Sequence, residues 1–222
     1  MSFKITGSGS CIPSVIKENS SFLNNSFYDE CGNKFGIDNK TIIDKFNSIT
    51  GINQRKYANT NLTTSDLAYI AAQSAIKDAD IDPEALDYII VAHNFGDITC
   101  NSKQIDTLPS LASRVKSKLK IKNPKCIAYD ILFGCPGWVE GMIQAQAFIK
   151  AEMAKKCLVI GADALSRVID SHDRDSMIYA DGAGATVLEK SNLEGGILSH
   201  STLTFTAEDE ADFIFYGDSY NK

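Results

Sequence analysis

The stretch that decides the fold covers residues 129–138, with the sequence YDILFGCPGW. Its first residues are apolar and β-prone, and they predict the end of a strand. Gly134 then permits a sharp turn, and Pro136 is typical of the first turn of a helix. Cys135 therefore lies just before a helix, where unpaired N–H groups and the helix dipole favour a thiolate. The pattern resembles a nucleophile elbow built with cysteine instead of serine.

The chain has six cysteines, and the pattern alone does not make Cys135 a nucleophile. Free cysteines are commonly buried, so a structural thiol is an equal alternative for Cys135. The other five cysteines are expected to be structural: Cys11, Cys31, Cys100, Cys126 and Cys157. No Cys-x-x-Cys motif occurs among the six. Reduced thiols are the expected state, because no export signal is visible. The three histidines are scattered, so no metal site is predicted.

Working outward from the elbow, hydrophobic periodicity predicts alternating strands and helices. A helical stripe ends at Gly51, a plausible C-terminal cap, and Thr63 offers an N-cap for the next helix. The predicted strands are residues 3–8, 86–92, 125–131, 156–161, 184–188 and 195–205, and the predicted later helices are residues 109–119 and 136–150. Alternation of this kind predicts an α/β domain with a largely parallel sheet.

Composition excludes several classes of protein. The 222 residues are 44% hydrophobic and carry a formal net charge of −6, which does not favour a nucleic-acid partner. No apolar run approaches the ~18 residues needed to span a membrane, and the expected location is the cytoplasm. One local basic run, residues 114–125, is expected to be a solvated helix end and loop, with docking of an acidic partner as the alternative.

A second signature covers residues 179–188, with the sequence YADGAGATVL. A Gly-x-Gly turn can indicate a nucleotide-binding fingerprint, but here the turn precedes a strand instead of a helix. The Rossmann interpretation therefore fails. The better interpretation is a tight turn packed beneath the site that carries Cys135.

Three motifs agree in order and spacing with a known family. They are Thr50-Gly51-Ile52 followed by Arg55, then Gly134-Cys135-Pro136-Gly137-Trp138, then residues 161–167 (GADALSR) followed by residues 181–185 (DGAGA). On these motifs the sequence resembles the β-ketoacyl-acyl-carrier-protein synthase III branch of the thiolase superfamily. The resemblance covers nearly all of the chain. Any one of the motifs would be unspecific.

The resemblance implies a fold and a domain organisation. Such enzymes consist of two similar layered α/β halves that form a five-layer sandwich. Residues 1–206 are expected to form the N-terminal thiolase-like half, with a mixed, mostly parallel five-stranded sheet flanked by helices. Residues 207–222 are expected to be an exposed loop that leads to an absent C-terminal half, which in the family supplies a histidine and an asparagine.

The resemblance also implies the site residues. Cys135 is the expected catalytic nucleophile. Arg167 matches an arginine that holds the adenine of coenzyme A in some members, while Lys45 stands where those members have a tryptophan. The residue at the position of Leu108 reaches into the acyl tunnel of the partner subunit, and Trp138, in place of the family's phenylalanine, is expected to contact substrate.

The implied activity is decarboxylative Claisen condensation of an acyl thioester, held on Cys135, with a malonyl-type carrier-protein thioester. It needs no cofactor; the expected partners are acyl carrier protein, a coenzyme A thioester and a second copy bound through the strand Lys125–Ile131. Two alternatives stay open. One is a specialised-metabolite ketosynthase, or an ester- or amide-forming acyltransferase of the same family. The other is a non-catalytic half-length partner subunit.

Overall fold

A computed structural model describes residues 2–29, 31–102 and 104–206. The predicted loop 207–222 lies outside the described residues. The strands are β1 (Ser2–Cys11), β2 (Val15–Glu18), β3 (Gln54–Tyr57), β4 (Tyr88–His93), β5 (Ile127–Leu132), β6 (Lys156–Ala164) and β7 (Asp181–Ser191). The α-helices are α1 (Asn39–Thr50), α2 (Thr64–Ala79), α3 (Leu111–Lys118) and α4 (Gly137–Lys150).

Five strands form the central sheet in the order β1-β7-β6-β4-β5. Strand β4 pairs in parallel with β5 and β6, and β7 pairs antiparallel with both β6 and β1. Four of the five strands therefore run in one direction, with β7 opposed to them. The prediction of a mixed, mostly parallel sheet is confirmed. Strands β2 and β3 form a separate antiparallel ribbon.

The helix ends follow the capping signals of the sequence. Asp38 accepts a hydrogen bond from the amide of Thr41 at the start of α1, and Gly51 ends the helix in the left-handed region at φ 68°. Helix α2 begins with a capping box between Thr63 and Asp66. The turn chemistry thus places both helices where the sequence predicts them.

The core has one layer on each face of the sheet. Alternate residues of a strand point to opposite faces, so Ile89 and Val91 pack against α2 and α3 while Ile90 packs beneath α4. Small residues dominate the buried side of α2, among them Ala68, Ala71, Ala72 and Ala75. Their size lets α2 lie close to the sheet. None of the described helices combines the length and apolarity needed to cross a membrane.

The predicted strand at residues 195–205 is wrong. The structure has no regular secondary structure there, because the chain runs across α4 and does not add to the sheet. The side chain of Gln146 makes two hydrogen bonds with the backbone of Ile197, one donated and one accepted, at 3.1 and 2.9 Å. The backbone groups of Ile197 are therefore satisfied by the amide side chain of Gln146 on α4, and not by a neighbouring strand.

Gly9 provides a test of the packing between β1 and α2. A Cβ on Gly9 would lie 2.3 Å from the carbonyl oxygen of Ala71 and 2.4 Å from the amide nitrogen of Ala75. Backbone atoms of a helix cannot rotate away, so we expect Gly9→Ala to lower the free energy of unfolding by about 3 kcal/mol, the upper end of ordinary overpacking. Denaturant unfolding followed by circular dichroism measures this change.

The matched control is Gly36→Ala, because no atom lies within 4 Å of a Cβ at Gly36. We expect this variant to unfold within about 0.5 kcal/mol of the wild type. Equal stability of the two variants would contradict the packing of α2 directly on β1.

Candidate active site

The candidate site lies where the parallel strands end. Asn94 follows β4, Cys135 follows β5 by three residues, and Asp163 is the penultimate residue of β6. The carboxyl ends of parallel strands meet at one edge of a sheet, which is where open α/β folds place their ligands. The topology therefore gathers three polar side chains that are far apart in the sequence.

The elbow at Cys135 is a tight turn between β5 and α4. Gly134 has φ 48°, in the left-handed region, and its carbonyl oxygen accepts a hydrogen bond from the amide of Gly137 at 3.1 Å. Pro136 is the N-cap of α4. Cys135 is exposed and free of any disulfide. The structure thus places the thiol immediately ahead of the first turn of a helix, as the sequence predicts.

Three glycines allow α4 to press against the ends of the strands. A Cβ on Gly137 would lie 2.8 Å from the Cβ of Ala92, and one on Gly141 would lie 2.7 Å from Cγ1 of Val159. A Cβ on Gly161 would meet Trp138 at 3.2 Å. Any side chain at Gly137 or Gly141 would lift the start of α4 off the sheet and displace Cys135 with it.

Cys135 opens onto a cavity of about 310 Å³. Trp138 and Leu165 form part of the wall, and the rest of the lining is composed of small residues and two polar ones: Ala92, Gly134, Cys135, Gly161, Ala162, Asp163, Gly182, Ala183 and Gly184. The Gly-x-Gly segment at 182–184 is therefore part of the cavity lining, but the prediction of a turn is wrong, because these residues belong to β7 and pair with β6 and β1. A thiol facing an uncrowded, mostly apolar cavity can attack an acyl group that enters it.

Asp163, in the lining of the cavity, forms a fixed pair with Asn94. The Asp163 carboxylate accepts hydrogen bonds from the amide of Asn94 at 2.9 Å and from its Nδ2 at 2.7 Å. Burial raises the pKa of Asp163, and the two hydrogen bonds oppose that effect. Because Nδ2 is held by Asp163, the side-chain oxygen of Asn94 faces the turn. It lies 4.0 Å from the position that a Cβ on Gly134 would take.

Tyr179 lies within electrostatic reach of Cys135. Burial raises the pKa of its phenol, and the charges of Asp173 and Cys135 act in the same direction. Tyr179 directly follows the short 3-10 helix Arg174–Ile178. This helix connects the neighbourhood of the thiol to a second cavity.

The second cavity, of about 320 Å³, lies between α1 and the 3-10 helix Arg174–Ile178. Its floor is apolar, and its cations are Lys45 and Arg174, the latter 5.1 Å above the ring of Phe35. Lys45, at the position of the family's tryptophan, thus lines the same cavity as Arg174. Arg167 lines neither this cavity nor that of Cys135.

Arg167 ties two loops together. Its terminal nitrogens donate to the carbonyl oxygens of Ile98 at 2.6 Å and Asn59 at 2.9 Å. The substrate contact predicted for Arg167 stays a prediction. The contacts of its guanidinium in the structure are with the protein backbone.

Of the other two predicted site residues, Trp138 and Leu108, one lines the cavity of Cys135 and one does not. Trp138 shares the cavity of Cys135. Leu108 is 84% exposed on the connection between β4 and α3 and does not line the Cys135 cavity of its own chain. No group of three or more His, Cys, Asp or Glu residues in the described ranges could hold a metal ion.

Sequence reasoning missed Asn94, Asp163, Tyr179 and Arg174. Asn94 and Asp163 carry a usable signal, because each is a polar residue at the carboxyl end of a predicted inner strand. Arg174 and Tyr179 carry no such signal. Their place depends on the path of the chain between β6 and β7.

We expect Cys135 to be alkylated before the other cysteines. Cys11, Cys126 and Cys157 are buried, and burial raises the pKa of each, that of Cys157 to about 12. Cys31 is also exposed, and it supplies a control for exposure without a helix N-terminus. Brief iodoacetamide treatment followed by peptide mapping should modify Cys135 roughly tenfold faster than Cys31. Faster modification of Cys31 or Cys100 would contradict the assignment.

Comparisons with known proteins agree with the geometry. Residues 129–204 match the profile of the 3-oxoacyl-[acyl-carrier-protein (ACP)] synthase III family. The chain is 38% identical over 197 residues to beta-ketoacyl-[acyl-carrier-protein] synthase III 1 of Vibrio cholerae. The aligned region covers 88% of this chain and 55% of that protein. The chain spans about half the length of the curated relatives that it matches.

Solved structures show the same similarity. The 3-oxoacyl-[acyl-carrier-protein] synthase III of Aquifex aeolicus superposes with a TM-score of 0.67 at 31% identity, over 86% of this chain and 54% of that one. The Pseudomonas aeruginosa synthase III superposes with a TM-score of 0.69 at 27% identity, over 90% of this chain and 54% of that one. The chain is therefore similar to 3-oxoacyl-[acyl-carrier-protein] synthase III proteins over about half of their length, and it shares the thiolase-like fold of the matched half.

Proposed function

We propose that this chain carries the acyl-accepting site of a synthase III-type acyltransferase, with Cys135 as the nucleophile. The observation that carries the proposal is the exposed thiol at the start of α4, facing a cavity of about 310 Å³ walled mainly by glycine and alanine. A structural cysteine is usually enclosed by its neighbours, as Cys157 is. Similarity to synthase III proteins supports the same assignment.

In the first step, the Cys135 thiolate attacks the carbonyl carbon of an acyl thioester. A C–S bond to Cys135 forms, and the C–S bond to the donor thiol breaks. The donor leaves as a thiolate and takes up the proton that Cys135 released. The backbone N–H of Cys135, at the helix N-terminus, is our candidate for one donor of the oxyanion hole.

In the second step, a malonyl-type thioester on a carrier protein loses carbon dioxide, and the resulting carbanion attacks the acyl group on Cys135. A carbon–carbon bond forms, and the C–S bond to Cys135 breaks to restore the thiolate. His93 cannot serve as a free base here, because its Nε2 faces Asp130 at 3.0 Å and its Nδ1 accepts the amide of Gly96 at 3.0 Å. We assign only the acyl-transfer step to the described residues.

The second cavity suggests how the donor is held. The cavity combines an apolar floor with two cations, Lys45 and Arg174, and one carboxylate, Asp175, which lies 3.7 Å from Nε of Arg174. The remaining excess of positive charge suits a ligand with both phosphate and apolar parts. Coenzyme A and the phosphopantetheine arm of a carrier protein both have this chemistry. We therefore propose Arg174, in place of Arg167, as the cation that contacts the donor.

Two product classes remain within the proposal: fatty-acid initiation, and synthesis of a specialised metabolite or of an ester or amide. Lys45, in place of the tryptophan of some family members, favours a donor other than acetyl-coenzyme A. The six cysteines are free, and such thiols suit a reducing compartment such as the cytoplasm.

A non-catalytic partner subunit has no use for an open thiol.

A panel of acyl donors tests this proposal in the complete protein. We expect mass spectrometry to show one acyl group on Cys135 after incubation with coenzyme A or carrier-protein thioesters. Cys135→Ser should lower the rate of transfer by at least about 10³-fold while the protein stays folded. Absence of any acyl adduct across the panel would sink the proposal and favour the partner-subunit alternative.

Arg174→Gln separates donor binding from chemistry. We expect it to raise KM for the coenzyme A or carrier-protein donor about tenfold and to leave an N-acetylcysteamine thioester, which lacks phosphate, unaffected. Arg167→Gln is the matched control, and a larger donor-specific effect there would return the role to Arg167.

We further propose that two copies pair through β5. Among the described residues this strand is at the edge of the sheet and is bonded only to β4, and Ile127 and Leu132 at its ends are exposed. An uncovered edge of this kind promotes association, and an antiparallel match with a second copy across a two-fold axis would cover it. The predicted strand Lys125–Ile131 corresponds closely to β5.

Ala128→Pro tests this pairing. The amide of Ile127 donates to Asp87 on the β4 side at 2.8 Å, so by alternation along a parallel strand the amide of Ala128 faces the free edge. A proline there should leave the sheet intact and weaken the dimer at least about tenfold, because one edge donor is lost. Ala128→Val is the control that keeps the amide. Light scattering that finds a monomeric wild type, or an unchanged dimer for Ala128→Pro, would contradict the pairing.

A further inference from the structure

Arg55 on β3 is a buried cation whose side chain binds only neutral groups. Its side chain is 4% exposed. Nε donates to the carbonyl oxygen of Met177 at 2.9 Å, Nη1 to that of Lys17 at 3.0 Å, and Nη2 to Oδ1 of Asn19 at 2.7 Å. No carboxylate of the residues that the structure describes forms an ion pair with it. Buried charges are usually paired, so the positive charge of Arg55 calls for a function.

The guanidinium lies behind the second cavity, the one that contains Lys45 and Arg174. Cζ of Arg55 is 5.8 Å from the centre of the Phe46 ring, and Phe46 lines the cavity on the side of α1. Met177, whose carbonyl oxygen Arg55 binds, lines it on the side of the 3-10 helix. Arg55 itself is not part of the lining. Its charge is therefore next to both walls of the cavity but out of contact with anything inside it.

The surroundings of Arg55 let its charge act over a distance. Phe22 and Phe46 lie against the guanidinium, with Cζ 5.0 Å from the ring centre of Phe22, and both belong to a buried apolar cluster. Such a cluster excludes the water that would otherwise screen the charge. Burial lowers the pKa of Arg55, but an arginine remains protonated at neutral pH.

The charges that line the cavity leave room for a contribution of this kind. Lys45 and Arg174 supply two positive charges, and Asp175, 3.7 Å from Nε of Arg174, removes one. The unpaired charge of Arg55 behind the wall doubles the excess that remains. An anionic group in the cavity therefore experiences a larger positive potential than the lining alone would produce.

We propose that Arg55 is a third cation of the second cavity, which attracts the phosphate groups of an acyl donor through the cavity wall. The inference rests on the proposed acyltransferase function and extends donor recognition to a residue that does not touch the donor. Arg55 is thus a positioning residue: it contributes to holding the donor, while the chemistry at Cys135 does not depend on it.

Hydrogen bonding alone is the competing explanation for Arg55. Its three bonds connect the ribbon of β2 and β3 to the 3-10 helix Arg174–Ile178, and such a connection would also maintain the cavity. The two explanations differ in one respect. A connection works equally well whether or not a carboxylate neutralises the charge, whereas attraction of phosphate requires the charge to remain unpaired.

Asn19→Asp separates the two explanations without removing Arg55. Oδ1 of Asn19 accepts the hydrogen bond from Nη2, so a carboxylate at this position keeps the bond and pairs the charge. Nδ2 of Asn19 also donates to the carbonyl oxygen of Ile52 at 2.7 Å, but that oxygen accepts Nδ2 of Asn47 at 3.1 Å as well and stays satisfied. The complete protein is assayed with an acyl-coenzyme A and with the corresponding acyl-pantetheine, which has the same thioester arm without phosphate.

We expect Asn19→Asp to raise KM for the acyl-coenzyme A about fivefold and KM for the acyl-pantetheine less than about twofold. The rate of Cys135 alkylation by iodoacetamide should stay within about twofold of the wild type. Arg55→Met should show the same selective rise, and Arg55→Lys, which keeps the charge, should show a smaller one.

The matched control is Asn53→Asp, which adds the same charge to the nearby surface. Asn53 is exposed, and its side-chain oxygen accepts a hydrogen bond from Asn47 at 2.7 Å and none from Arg55. We expect its KM for both donors to stay within about twofold of the wild type, because an exposed charge is screened by water and salt.

An unchanged KM for the acyl-coenzyme A in Asn19→Asp, while the wild type transfers acyl groups, would overturn this inference and leave the proposed function standing. Equal increases for the two donors, or an equal effect of Asn53→Asp, would overturn it as well. If Arg55→Met fails to fold, Asn19→Asp and its control still decide the question. A wild type that accepts no acyl group from any donor would instead overturn the proposed function itself.

Discussion

The close approach of α4 to the sheet is the constraint on which the site depends. Gly137 and Gly141 lie one turn apart on the face of α4 that meets Ala92 and Val159, at distances that admit no side chain. This contact determines where the helix begins, and the start of the helix determines where Cys135 stands. Trp138 can lie over Gly161 for the same reason. The cavity is shallow and lined by small residues because bulk at these positions would separate the layers.

Local signals were sufficient to predict the elbow, the helix caps and the inner strands. Gly51 and Thr63 specify helix ends through their own backbone geometry and hydrogen bonds, without help from distant residues. The buried strands β4 and β6 are rich in apolar and β-branched residues, a pattern that is typical of the inner strands of a parallel sheet. The turn at Gly134 and Pro136 is equally local. For these reasons the inner strands and the position of Cys135 follow from local signals, whereas the mixed five-stranded sheet was expected from the family resemblance.

Contacts between distant segments could not be predicted in this way. Lys45 lines a cavity together with Arg174, where sequence matching suggested Arg167. This arrangement depends on how the chain folds back after β6, and both arginines lie in similar polar surroundings in the sequence. The predicted strand at 195–205 failed for a related reason. Its residues have strand propensity, but Gln146 on α4 binds the backbone of Ile197 and diverts the chain from the sheet. Propensity reports what a segment can form, and tertiary contacts decide what it does form.

Asp130 shows how one partly buried carboxylate connects several parts of the site. It accepts the two amides at the start of α3 and faces Nε2 of His93, whose Nδ1 accepts the amide of Gly96. With Nδ1 acting as an acceptor, the ring proton belongs on Nε2, so a neutral His93 satisfies both contacts. Strand β5 therefore holds the end of β4, the connection after it and the first turn of α3 in one hydrogen-bonded frame. Because the same strand continues into the elbow, the thiol and the loop that bears Leu108 share a rigid reference, and neither can move far without breaking buried hydrogen bonds.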